Sequence, residues 1–167
     1  MGSKASFKGH PIHPMLIPFP IALWIFSLVS DFIYVFGAGS MVWREMALYT
    51  MAGGLIGALA AAVPGYIDYR SIKEAQTAAI AWWHMVINLT VVMLYAINML
   101  LRLVSDNNVA APIFLSLVGV GLLGISGWLG GEMVYVHGVA VEQPASRGVK
   151  MDTGQGTAHT RKRTGTL

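Results

Sequence analysis

Four of the chain's five histidines, His10, His13, His84 and His137, lie at the ends of long apolar segments, and an up-and-down path through those segments brings all four to one side of a membrane. Asp68 and Glu132 fall on the same side. Clustered imidazoles with a carboxylate suit zinc, copper or iron, and a pair of imidazoles suits haem iron. Cysteine is absent, which excludes disulfides, thiolate zinc sites, iron–sulfur clusters and thioether-attached haem. Hydrolysis has no recognisable nucleophile, base and orienting acid, and Ser105 and Ser126 have no histidine near them. No phosphate-binding or dinucleotide glycine motif follows a strand, because no segment reads as a convincing strand.

In the opening run GHPIHPMLIPFPIAL, His10 and His13 are each followed by proline. Proline pushes the residue before it into extended geometry, so both histidines are expected in a stiff, non-helical approach to a helix beginning near Pro18. The plainer reading is a rigid helix entry carrying interfacial imidazoles. Further on, His84, Asn88, Val91, Tyr95, Asn98 and Arg102 recur at spacings of four and three, which is one helix face. Polar side chains in a lipid environment turn inward, so this stripe is expected to line the bundle axis. It serves either as hydrogen-bonding glue between helices or as a ligand, His84, with neighbours that orient it or pass protons. The run GWLGGEMVYVHGVAV brings Glu132, Tyr135 and His137 close together, and Gly138 is a natural helix stop. Glu132 and His137 are about 140° apart on a helix of 3.6 residues per turn, so one is a ligand and the other supports it, or Glu132 is an interfacial charge.

The elements that position these residues are apolar spans. Of 167 residues, 55% are hydrophobic and 11% charged, against about 25% charged in soluble domains. Four stretches, about 15–36, 46–66, 79–104 and 112–136, have the roughly 20 residues that cross a hydrocarbon core. The first is too long for a signal-peptide core and is read as a retained helix. Short connections force antiparallel neighbours, so the expected fold is all-α: an up-down four-helix bundle spanning the membrane over 15–141, after an N-terminal segment 1–14 with the His-Pro motif. Residues 142–167 lose apolar periodicity and read as a disordered basic tail that contains His159 and the Arg161–Arg163 run. Lys4, Lys8, Arg70, Lys73, Arg147, Lys150, Arg161, Lys162 and Arg163 flank one side, against Arg44 and Arg102 on the other. Discounting the last three still leaves six against two, which puts both termini, and the histidines, on the cytoplasmic side of the inner membrane. The net charge of +3 reflects this topology and not nucleic-acid binding. Small-residue rows, Gly53, Gly57, Ala61 and Gly65 in the second span and Gly124, Gly127 and Gly131 in the fourth, are expected to pack inside the bundle, with a homodimer face or a slot for a flat macrocycle as alternatives. Asp31 lies roughly 27 Å along the helix from His13 by helical rise and is expected to pair with Arg102 or Arg44, since a lone carboxylate in lipid is costly.

GHPIHPMLIPFPIAL, the WWH of the third span and GGEMVYVHG closing the fourth resemble the bacterial four-helix membrane family catalogued as domain of unknown function 2231, over roughly residues 8–142. The resemblance implies a plan like that of small b-type cytochromes, and some members are joined to Rieske-type domains, which points to electron transfer. The leading expectation is therefore a haem b protein with His84 and one of His13, His10 or His137 as axial ligands, relaying electrons between membrane quinol and a soluble partner. The alternatives are a non-haem zinc, copper or iron site built from His10, His13, His84 and His137 with Asp68 or Glu132, and a cofactor-free accessory subunit. A transporter that oligomerises remains a further reading.

Overall fold

A computed structural model describes residues 2–37, 39–105 and 109–141. The tail expectations, including His159 and the Arg161–Arg163 run, lie outside the described residues. Four helical stretches are long and apolar enough to cross a membrane. The first is broken in two: α1, Ile12–Leu16, leads through Ile17 into α2, Pro18–Phe36. Then follow α3, Met41–Tyr69, α4, Ala75–Val104, and α5, Ala110–Tyr135. Each span is longer than its apolar run, so the connections are tighter than expected. Polar residues such as Arg44, Asp68 and Gln76 belong to helix ends.

Two expectations about the N-terminal segment are corrected. Ser6–Phe7 (β1) and His10–Pro11 (β2) form a minimal antiparallel hairpin. Its two-residue turn puts Lys8 at φ 50° and Gly9 at φ 81°, the left-handed pair that matches strand twist. His13 is helical. Pro11 caps α1 and Pro14 occupies its first turn, where the missing N–H groups have no intrahelical acceptor to lose. His10, the residue before Pro11, stays extended as expected.

The helices pair as two hairpins, α2 on α3 and α4 on α5, joined by contacts of α3 with α4 and α2 with α5. The core is Trp24, Met51, Leu55, Val91, Tyr95 and Leu123. Large apolar side chains such as Phe19, Ile56, Leu100 and Trp128 ring the outside, the arrangement of a bundle whose solvent is lipid. Polar atoms run the other way: Ser27, Ser30, Asp31, Asn98 and Ser116 are buried.

The two hairpins are repeats. His13, Trp24, Ser27 and Asp31 lie 71 residues before His84, Tyr95, Asn98 and Arg102, and on the second helices Ala47, Met51, Ala61 and Gly65 lie 65 residues before Pro112, Ser116, Ser126 and Gly130. Equivalent residues make equivalent bonds. Trp24 Nε1 donates to the Met51 carbonyl at 3.3 Å and Tyr95 Oη to the Ser116 carbonyl at 3.4 Å. Ser27 Oγ donates to the Ala47 carbonyl and Asn98 Nδ2 to the Pro112 carbonyl, both at 2.8 Å. Both hairpins start from the same end, so the pseudo-two-fold axis runs along the helices, as in parallel transporter repeats. On that axis some first-helix residues meet their own counterparts. Trp24 stacks on Tyr95 with centroids 4.3 Å apart, and Arg102 grips Asp31 through both guanidinium nitrogens.

The glycine rows behave differently in the two halves. Gly53, Gly57 and Gly65 press on Leu23, Pro20 and His13, as expected. Gly124, Gly127 and Gly131 do not pack inside: a Cβ there would meet nothing within 4 Å. Gly119 and Gly130 face inward instead, against Tyr95 and His84.

Candidate functional site

At the end of the axis that carries the N-terminal hairpin, His13 and His84 meet with ring centroids 6.4 Å apart and planes at 85°. Their positions follow from the repeat. His13 Nδ1 lies 2.8 Å from the Ala61 carbonyl of α3, and His84 Nδ1 lies 2.9 Å from the Ser126 carbonyl of α5. A carbonyl only accepts, so each Nδ1 carries a proton and each neutral ring keeps its lone pair on Nε2. Among the described residues neither Nε2 enters a hydrogen bond. Each ring rests on the glycine one turn beyond its carbonyl: a Cβ on Gly65 would lie 2.7 Å from His13 Nδ1, and one on Gly130 would lie 3.3 Å from His84 Cε1.

The polar stripe of α4 extends this site inward. Asn88 Nδ2 donates to Ser126 Oγ at 2.6 Å and to the His84 carbonyl at 2.7 Å. Ser126 Oγ is 3.0 Å from His84 Nδ1, which corrects the expectation that no histidine is near this serine. The pairing is of imidazole Nδ1 with a serine buried between helices, and no carboxylate supports it, so it orients the ring. Toward the other end, Asn98 Nδ2 donates to Ser116 Oγ at 2.8 Å and Arg102 Nε to Asn98 Oδ1 at 3.0 Å. Val91 separates the two polar groups and is fully buried. The stripe is thus two hydrogen-bonded clusters with an apolar gap, lining the axis as its spacing predicts.

The remaining candidates are spread out. His137 lies just past α5, where Gly138 at φ 62° and the Val139 N–H to Met133 carbonyl bond close the helix. Its Nδ1 is 3.0 Å from Thr77 Oγ1, which donates to Glu74 Oε2 at 2.6 Å. Asp68 accepts from Ser3 Oγ at 2.8 Å and the Ala5 N–H at 3.0 Å, pinning the N-terminal segment across the bundle end. His10 is exposed on the hairpin, and Glu132 is half-buried, with a backbone carbonyl that accepts the Val136 N–H. Among the described residues no three of His, Asp and Glu are grouped to hold one ion. The structure brings together His13 and His84 and does not add His10, His137, Asp68 or Glu132 to them.

Haem and bare ions make different demands on this pair. The donors fit either, since two neutral imidazoles with unused Nε2 atoms are what iron or copper takes from histidine. Space favours the smaller guest. A cleft beside Asp31 and Arg102 and another beside Asp68 and Ile72 have about 10 Å3 each, room for about one water, and neither touches His13 or His84. A porphyrin between the rings would have to part the helices.

Four apolar helices around an inward-facing polar seam define a multi-pass membrane protein. A family model described as Predicted membrane protein (DUF2231) matches residues 9–143, and the chain belongs to that family. No curated protein and no solved structure matches it.

Proposed function

We propose that this protein is a membrane redox protein that holds a metal, as haem b or as a bare ion, between His13 and His84 and relays electrons between membrane quinol and a soluble partner. The observation that carries the reading is the matched pair of imidazoles, each with Nδ1–H committed to a backbone carbonyl. Metal-ligating histidines are oriented in this way: the bond on one nitrogen fixes the tautomer and aims the other. When bound, the metal supplies the one-electron chemistry. The chain's part is to hold both rings still, through Ala61, Ser126 and the glycines behind them, and to surround the site with lipid-facing helices that exclude water. The excess of lysine and arginine at this end supports a cytoplasmic position, at the inner membrane, for the site and both termini.

A second reading, a cofactor-free accessory subunit, is favoured by one observation: among the described residues every buried side-chain nitrogen and oxygen has a partner. Purification in mild detergent with haem supplied during expression separates the two. Reduced-minus-oxidised spectra and elemental analysis of the wild type are expected to show Soret and α bands or a stoichiometric transition metal, lost in His84→Asn. Colourless, metal-free wild-type protein sinks the redox reading and leaves the accessory one.

A further inference from the structure

We infer that the guest of the His13–His84 pair is a single copper(I) ion, two-coordinate, held on the pseudo-two-fold axis by the two Nε2 atoms. This rests on the metal-binding reading above and names its ion. The first argument is donor number. Only two ligating side chains meet here, and no third His, Asp or Glu joins them among the described residues. Zinc in a protein asks for a tetrahedral set, calcium and magnesium for six or more oxygens, and copper(II) or nickel(II) for a tetragonal one. Copper(I), with a filled d shell like zinc but only a single charge, is content with two nitrogens in line.

The second argument is charge. With each Nδ1–H committed to a carbonyl, the donors offered are uncharged Nε2 lone pairs. The carboxylates bonded at this end are committed elsewhere, Asp68 to Ser3 and Ala5 and Glu74 to Thr77, while Glu132 is not grouped with the pair. The cost of placing an ion in a low-dielectric interior grows with the square of its charge, so a divalent ion without a counter-charge is penalised about four times as heavily as a monovalent one. A site of uncharged donors inside a lipid-facing bundle therefore favours the monovalent state, so copper held here rests as copper(I) and gives up its electron only at high potential.

The third argument is geometry. Nδ1 of His13 is turned to α3 and Nδ1 of His84 to α5, on opposite sides of the axis. Within an imidazole ring Nε2 lies on the side away from the Nδ1–H bond and from the glycine beneath Nδ1 and Cε1, which leaves it as the nitrogen open to the axis. Two imidazoles in line through one metal, with metal–nitrogen bonds of about 2 Å, place their ring centres roughly 6 Å apart. The observed separation is 6.4 Å. Perpendicular planes are compatible, since each ring is free to rotate about the nitrogen–metal line. A bare ion also needs no larger cleft than the packing leaves.

The test is an anaerobic titration of the full-length, detergent-purified protein with copper(I) against a chromophoric copper(I) chelator, with X-ray absorption on the loaded sample. One copper per chain and a two-coordinate edge are expected. His13→Asn and His84→Asn each remove one Nε2 donor while the amide N–H still reaches the Ala61 or Ser126 carbonyl. Each should weaken copper(I) binding by more than the roughly 10- to 100-fold that loss of an outer-sphere partner costs, with little change in metal-free melting. His10→Ala and His137→Ala should bind as the wild type does. Copper retained by both Asn variants overturns the inference. A wild type that takes no copper but shows haem bands lost in both variants overturns copper and keeps the redox reading. A wild type that takes neither overturns both.

Discussion

The α2–α3 and α4–α5 hairpins share a backbone plan yet agree in side chain at very few of their facing positions. Aligning residues 13–31 with 84–102 and 47–65 with 112–130, the identical pairs are His13 with His84, Leu23 with Leu94, Gly54 with Gly119 and Gly65 with Gly130. Three of those four are rings on the axis or the glycines that rings rest on. At the far end the halves diverge into opposites, Asp31 against Arg102. A bundle made of two copies of either hairpin would set Asp against Asp, or Arg against Arg, in a lipid-enclosed core, so that rung admits only an unlike pair. The near end admits a like pair, because two imidazoles sharing one guest need not differ. Divergence is therefore greatest where the two halves must recognise each other, and identity persists where they do the same thing.

The largest expected effect comes from breaking the unlike rung. Arg102→Leu strands Asp31 in a buried site and should cost about 3–5 kcal/mol, the penalty for an uncompensated buried charge. The exchange Asp31→Arg with Arg102→Asp should recover a large part of that loss, because the axis relates the two positions. Unfolding in mixed micelles measures both; equal losses in the single and exchanged variants would remove the axis from the explanation. The next effect sharpens the comparison at the glycines. Gly119→Ala would place a Cβ 2.7 Å from Tyr95 Cε2, and Gly54→Ala would drive one into Trp24. Each should lose about 1–3 kcal/mol by overpacking. Gly121→Ala and Gly124→Ala, two and five residues beyond Gly119 on the open side of α5, should be neutral or slightly stabilising. Similar losses at all four positions would mean that α5 packs on a neighbour through its outer glycines.

Much of the architecture is legible in the sequence. Apolar runs near the 30 Å rule gave the spans, and a three-four spacing of polar residues gave the inward face of α4. The cost of a lone carboxylate in lipid called for a partner to Asp31 from Arg102 or Arg44, and the Arg102 pair is one of those two. What was not legible has physical causes. Pro11 and Pro14 read as helix breakers, but the first turn of α1 has no N–H to lose there, so His13 became helical. Hydrophobic periodicity gives little guidance for α5, because a helix with lipid on one side and small residues on the other is apolar all round, and its outward glycines were assigned inward. Ser126 reaches His84 across 42 residues, a distance that no local motif spans. The repeat was the one signal able to find Ala61, Ser126, Gly65 and Gly130 from sequence. It was hidden because the two halves retain the residues that rings touch and little else, and because 71 on the first helices becomes 65 on the second.

The smallest expected effect lies where the repeat has no counterpart. Thr77 links the start of α4 to the chain beyond α5, giving its hydroxyl hydrogen to Glu74 and accepting from His137. In the first half the corresponding position, Ser6, is in the exposed hairpin and belongs to a different structure. Thr77→Val keeps the shape of the side chain and deletes both bonds. Hydrogen bonds inside membrane bundles are worth about 0.6 kcal/mol on average, and Glu74 is half exposed, so a loss of about 1 kcal/mol or less is expected. The change should be confined to the exit of α5: faster amide exchange at Val136 and His137, with exchange at Ala61 and Ser126 unaltered. Exchange that quickens at Ser126 as well would show that the closure beyond α5 helps to hold the carbonyl that orients His84, and the second half of the pair would then depend on a clasp that the first half lacks.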